Sequence, residues 1–224
     1  MASPLHYLPV EVPAGAAALR VTLTYSRDGG AVLDLGCFGP LGFGGWSGGA
    51  RSSFVISPLG ATPGYLPGEV VAGLWQVAIG LYKVPASGVR YQVTAEVAGG
   101  ADGAGWVAEA LAADGVGSLA PPPLALSPGE RPGRRSLPAA SGRTWLAGDL
   151  HSHTVHSDGA MTVPELAVQA VSLGLDFLAI TDHNTVSHHR ELSSTSAAYG
   201  ITLVPGQEVT TSRGHAGEIG RAHV

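Results

Sequence analysis

Gly148-Asp149-Leu150-His151-Ser152-His153-Thr154-Val155-His156-Ser157-Asp158-Gly159 is the stretch whose reading decides the fold of this 224-residue chain. An apolar run, residues 145–150, leads into it. If that run is a strand, residues two apart project to one side. His151 and His153 then aim two imidazoles at one point, a chelating arrangement for a borderline cation such as zinc, manganese or iron. Asp158 follows at a turn with Gly159 and can return a hard oxygen ligand to the same mouth. A lone histidine would be read as a surface or core residue. Repetition downstream changes that. Phe177-Leu178-Ala179-Ile180 is a second buried-strand run, ending in Thr181-Asp182-His183-Asn184. A third, residues 201–205, ends in Gly206-Gln207-Glu208, with Gly214-His215 close behind. Three apolar strands thus deliver His, Asp or Glu at their C-terminal ends, where the sites of α/β sheets and barrels lie.

Helical signals separate these strands. Thr162-Val163-Pro164-Glu165 reads as a capping box with proline in the first turn. Leu166, Ala170, Val171 and Leu173 continue as a helical stripe, which Gly174 closes. Glu165 is therefore read as a cap rather than a catalytic group. A looser helical pattern near residues 189–199 is closed by Gly200. The order β-α-β-α-β predicts parallel strands joined by right-handed crossovers.

Taken jointly, these motifs resemble the PHP (polymerase and histidinol phosphatase) superfamily of metal-dependent hydrolases, and most closely its carbaryl-hydrolase-like branch. The family's HxH and SDG stand at residues 151–153 and 157–159, its TDHN at 181–184, its GxE at 206–208 and its GH at 214–215. The resemblance covers residues 144–217. It implies a distorted (β/α)7 barrel holding two or three divalent ions: zinc, manganese or iron. By the same resemblance His151 and His153 bind one ion, Glu208 bridges to a second that His215 supports, and Asp158 and His183 support a third. Asp149 and Asp182 would orient imidazoles, and Asn184 would hydrogen-bond substrate or water; Asp182 and Asn184 are the catalytic candidates. The reaction implied is hydrolysis of a phosphomonoester or phosphodiester by metal-activated water. A carbamate or amide ester is the alternative, because the same chemistry attacks P=O or C=O. A PHP-type exonuclease is a further alternative.

The family pattern continues through another His motif and a late Asp-x-His, neither of which follows residue 217. The expectation is a C-terminally truncated, incomplete barrel, inactive by itself. In one reading frame residues 218–224 match the translation of a common sequencing-library adapter, so this tail is expected to be foreign and His223 is not counted as a ligand. A reading from another class follows: a non-catalytic β-sandwich binding module carrying an incomplete metal site.

Residues 1–118 read as all-β. Residues 19–25 and 89–97 alternate apolar and polar, the mark of strands with one buried face. Residues 31–35, 53–57 and 74–82 are weaker candidates, and Asp28-Gly29-Gly30, Pro63-Gly64, Pro67-Gly68 and Ser87-Gly88 supply turns. A jelly-roll-like β-sandwich is expected. The glycine-rich run at 39–49 lacks the Lys-Ser/Thr of a phosphate loop and is read as a flexible inter-strand loop. It resembles the Gly-Trp-Ser-Gly-Gly loop of the carbaryl-hydrolase-like branch, and Trp46 with Arg51 could form a recognition tip at its end. Residues 119–143, rich in Pro, Ser and Gly, read as a semi-rigid linker.

A chain 45% hydrophobic and 13% charged is globular rather than disordered. With a net charge of -5 and no Lys/Arg stripe, nucleic acid is not expected as a partner. A small-molecule phosphoester or carbamate is expected instead. Cys37 is the only cysteine, which excludes an intrachain disulfide and allows a reducing compartment. The N-terminus lacks signal-peptide regions and no run is apolar enough for a bilayer, so a soluble cytoplasmic protein is expected.

Overall fold

The computed structural model describes residues 5–113, 137–211 and 213–220. Most of the expected linker, the boundary at 118 and residues 221–224 of the expected tail lie outside the described residues.

Eight strands come first: β1 (Leu5–Val12), β2 (Ala18–Tyr25), β3 (Val32–Gly39), β4 (Gly42–Gly48), β5 (Ser53–Ser57), β6 (Gly60–Ala61), β7 (Gly73–Lys83) and β8 (Tyr91–Ala98). They form two antiparallel sheets, ordered β1-β7-β3-β4 and β6-β5-β2-β8. Alternation along β2 turns Leu19, Val21 and Leu23 inward. They join Leu33 and Leu35 of β3, Phe54 and Ile56 of β5, and Val77 and Ile79 of β7 in one buried cluster shared by both sheets. This sandwich is what the alternating patterns predicted.

Two expectations for this half are corrected. The glycine run at 39–49 is not a flexible loop; most of it is β4. Its glycines, and one facing them, permit close approach instead. A Cβ on Gly36 would lie 2.2 Å from the Trp46 ring, and one on Gly45 would lie 2.4 Å from the Tyr65 Cα. The half is also not all-β, because helix α1 (Gly100–Ala113) closes it. Gly100, Gly103 and Gly105 weaken the helical signal. Packing overrides it: Trp106, Val107, Ala110 and Leu111 cover Ala18, Val55 and Ala98.

The C-terminal part is built from β9 (Gly148–Asp149), α2 (Val163–Ser172), β10 (Phe177–Ile180), α3 (His189–Tyr199), β11 (Thr202–Thr211) and β12 (Gly214–Ile219). The sheet order is β12-β11-β10-β9. β9, β10 and β11 are parallel, as the β-α-β-α-β pattern predicts. The capping box at Thr162 and Glu165 forms, and Gly200 ends α3 in the left-handed region. Both helices press on the sheet through Val163, Ala167, Val171, Leu192 and Tyr199 against Leu178, Ile180 and Leu203.

The expected first strand shrinks to two residues, with Trp145 and Leu146 exposed. A (β/α)7 barrel is not formed among the described residues. β11 runs on past Glu208 and turns back as an antiparallel hairpin with β12, so the α/β alternation stops there. Glu218 and Ile219, placed on sequence in a foreign tail, pair in β12 with Gln207 and Gly206. Among the described residues no helix is long and apolar enough to cross a membrane.

Candidate metal centre

Hydroxyl residues fasten the His-x-His segment to the sheet. The Ser152 hydroxyl donates to the Ala179 carbonyl at 2.6 Å, and the Thr181 amide donates to the Ser152 carbonyl at 2.8 Å. Residues 151–153 thereby extend the edge of β10 although they are not strand. His183, past the end of β10, bridges to Glu208 in parallel register. His215 sits on β12 opposite Thr210.

The imidazoles converge on Glu208, which is 6% exposed. Its Oε2 lies 3.4 Å from His151 Nε2, 3.2 Å from His153 Nε2 and 3.2 Å from His183 Nδ1, while its Oε1 lies 3.0 Å from His215 Nδ1. The His151 and His153 Nε2 atoms are 2.9 Å apart. Asp158 stands on the other side, 3.3 Å from His153 Nδ1 and 3.6 Å from His183 Nε2. Three groups could therefore each hold a cation: His151–His153–Glu208, His183–Glu208–His215 and His153–Asp158–His183. All six residues named as metal ligands from the sequence fall within these groups.

A spacing test supports the fit. Ligand atoms sharing one cation at bonds of about 2.1 Å stand about 3.0–4.2 Å apart. The first group spans 2.9 to 3.4 Å, which suits a shared ion. Three imidazoles lie at Glu208 Oε2 and one, His215, at Oε1, so both oxygens are available to the cluster. A neutral imidazole offers a single lone pair, so His153 cannot serve the first and third groups at once. Burial, and after it the neighbouring His153, holds His183 below the usual histidine range against the opposing pull of Asp158 and Glu208. His183 is thus kept neutral, the form that binds a metal.

Asp182 and Asn184 face away from this cluster. Asp182 is fully buried. Its carboxylate accepts from the Thr154 amide at 2.8 Å, the Thr154 hydroxyl at 2.7 Å and the Ser157 hydroxyl at 2.6 Å. Burial alone would raise its pKa, but the neighbouring His188 and these three bonds outweigh it and bring it below the usual carboxylate range. His188 Nε2 donates to the Ile180 carbonyl, and its Nδ1 lies 3.2 Å from Asp182 Oδ2 without hydrogen-bond alignment. Burial pushes this imidazole down to about 4. Asn184, at a positive φ of 51°, has its amide engaged by the Thr210 main chain at 2.8 and 3.0 Å. Asp149 contacts the main-chain amide of His151 rather than an imidazole. Sequence reading missed Ser152, Thr154, Ser157 and His188. Only the hydroxyls between the histidines hinted at them.

Two predictions arise here. Both His188 and Asp182 titrate lower in the folded chain than in the unfolded one, so the unfolded state takes up protons first on acidification. The His188 contribution is therefore full above pH 6.5 and is lost as pH falls towards about 4, while the Asp182 contribution is lost only below the ordinary carboxylate value of 3.8. Thermal melts of the metal-free protein between pH 7.5 and 4 should show a falling Tm; a flat profile contradicts the argument. The second concerns Gly159. A Cβ there would lie 2.3 Å from the His153 carbonyl oxygen. Gly159→Ala must therefore shift main chain between two ligands, at about 1–3 kcal/mol. It should also weaken zinc or manganese binding, measured by chelator competition.

Comparison with known proteins agrees with this picture. Residues 149–222 match the PHP domain model. A 5'-3' exoribonuclease of Escherichia coli is 42% identical over 67 residues, 28% of this chain and 22% of the relative. One from Haemophilus influenzae is 36% identical over 64 residues, covering 29% and 23%. A 3',5'-nucleoside bisphosphate phosphatase of Chromobacterium violaceum is 38% identical over 66 residues, covering 30% and 23%. The chain spans about a quarter of the length of these relatives. No solved structure gives a significant match. The expectation that nucleic acid is not a partner is corrected by the relatives named as exoribonucleases. Net charge averages over a whole chain, whereas bound cations supply positive charge only where a phosphate docks. The parallel strands, the imidazoles gathered around Glu208 and the family match all point the same way: residues 149–222 are similar to the PHP domain family.

Proposed function

We propose that the PHP domain is a metal-dependent hydrolase of phosphoesters carried by nucleotides or by RNA. The observation behind this reading is the nearly buried Glu208 carboxylate, whose two oxygens lie 3.0 to 3.4 Å from four imidazoles. The names of the relatives support the substrate class. On this reading His151, His153 and Glu208 would hold one divalent cation and Glu208, His183 and His215 a second, with Asp158 a further carboxylate beside His153 and His183. Bound divalent cations would supply Lewis acidity to a phosphoryl oxygen and acidify water.

The chain's own residues do the positioning. Glu208 would balance charge for two positions because imidazoles of both groups lie within 3.4 Å of its carboxylate. Asp182 fixes the Thr154–Ser157 loop that carries Asp158. Asn184 locks the main chain between His183 and Glu208 to β11. Asp182 and Asn184 therefore act here through the ligands they hold, not on the substrate.

The test is turnover by the full-length protein of a phosphomonoester, a phosphodiester and a short 5'-phosphorylated RNA, each with manganese or zinc. Phosphoester hydrolysis that a chelator abolishes is expected. Turnover of a carbamate ester alone, or phosphoester hydrolysis unchanged by chelator, contradicts the reading.

A further inference from the structure

The β-sandwich touches the metal-bearing loops at two fixed points. Arg51, just after β4, turns its guanidinium towards the His-x-His loop and not outward as a recognition tip. Its Nη2 donates to the Val155 carbonyl and its Nη1 reaches the Ser157 carbonyl at 3.5 Å. The second point is the Gly64 peptide. Its amide donates to the Ser187 hydroxyl at 3.0 Å, and its carbonyl accepts from the Thr185 hydroxyl at 2.9 Å. The Ser187 hydroxyl also meets His156 Nδ1 at 2.7 Å. Gly64 has a φ of 96°, and a Cβ there would lie 3.0 Å from the His156 carbonyl oxygen. Only glycine allows this approach.

The Gly64 contact is anchored on the sandwich side. Tyr65, next to Gly64, is buried and stacked on Phe54 at 4.1 Å, and its hydroxyl bonds the Leu35 carbonyl and Ser47. The Trp46 amide donates to the Gly64 carbonyl at 3.0 Å. Thr185, Ser187 and His156 are buried and hydrogen-bonded, so the junction is a buried polar contact with its partners matched. On the metal side the same loops carry the ligands. Ser157 precedes Asp158 and lies 3.4 Å from His153 Nδ1, and Thr185 lies two residues past His183.

We propose that the sandwich is a working part of the metal centre, with Arg51 and the Gly64 corner as positioning elements that set the 154–158 loop and the 185–187 turn. The inference rests on the proposed metal centre and adds to it. Groups that orient metal ligands typically change affinity 10- to 100-fold when removed. Arg51 spans two carbonyls with a planar fork, a geometry that a lysine ammonium does not reproduce.

The test uses the whole chain and its Arg51→Ala, Arg51→Lys and Gly64→Ala variants. One readout is manganese or zinc affinity by chelator competition; the other is amide exchange of residues 154–159 in metal-free protein. Arg51→Ala should weaken binding about 10- to 100-fold and speed exchange in that loop, while the circular-dichroism spectrum stays that of a folded protein. Arg51→Lys should recover part of the loss. Gly64→Ala should speed exchange in both loop and turn. Equal metal affinity and unchanged loop exchange in Arg51→Ala overturn the inference, as does a lower Tm with neither readout moved. Wild-type protein that binds no metal removes the proposed centre itself, and the inference with it; loop exchange then still reports whether Arg51 holds the loop.

Discussion

Glu208→Gln is expected to cost the chain most of its divalent-metal binding while leaving it folded. Glu208 belongs to two of the three groups able to hold a cation, and four imidazoles lie at its oxygens. Glutamine keeps the shape but removes the charge and one of the two bridging oxygens. A partner that only orients a ligand is worth about 10- to 100-fold in affinity, so loss of a shared direct ligand should exceed 100-fold. Stability of the metal-free protein should change by less than about 1 kcal/mol, because the amide can still hydrogen-bond the surrounding imidazoles. Metal content after equilibrium dialysis, with a thermal melt alongside, checks both halves. Binding within a few-fold of wild type would remove Glu208 from the centre.

The opposite signature is expected for Asp182→Ala. This carboxylate is fully buried and accepts three hydrogen bonds from Thr154 and Ser157. Alanine leaves those donors buried without an acceptor, each at about 1–3 kcal/mol. Breaking a buried charged network of this kind costs about 3–5 kcal/mol, which at about 2–4 °C per kcal/mol lowers Tm by about 6–20 °C. Asp182→Asn keeps one acceptor oxygen and should fall between alanine and wild type. Metal binding would suffer as well, through the loop that carries Asp158, but the loss of stability comes first. A Tm shift under about 3 °C in Asp182→Ala would show that the network contributes little.

These two residues also mark what the sequence could and could not convey. Period-two alternation in residues 19–25 announced β2, because one face is buried and the other is not. The cluster of candidate ligands around Glu208 was legible because His, Asp and Glu recur at the ends of apolar runs. The roles within the motifs were not. Asp182 and His183 are adjacent in sequence yet point to opposite sides, one into a buried knot and the other to the cluster, as neighbours in an extended chain must. Asn184 reads as a polar group free for substrate until its amide is seen on the Thr210 main chain, a contact 26 residues away. Helix α1 was hidden by its glycines, and β4 was mistaken for a loop for the same reason. In both places the structure is set by packing against distant residues, which local propensity does not carry. The nucleic-acid expectation failed through a similar averaging, since a chain-wide charge does not describe one pocket.

The central claim is that cations sit around Glu208, between the end of β10, β11 and the His-x-His segment. A crystal of this chain grown or soaked with manganese, recorded with anomalous diffraction, tests it most directly. Two or more anomalous peaks are predicted. One should lie within about 2.0–2.3 Å of His151, His153 and Glu208 atoms, and another at the same distance from Glu208 and His215. No peak at the cluster, or peaks only at sites that do not involve Glu208, would contradict the account.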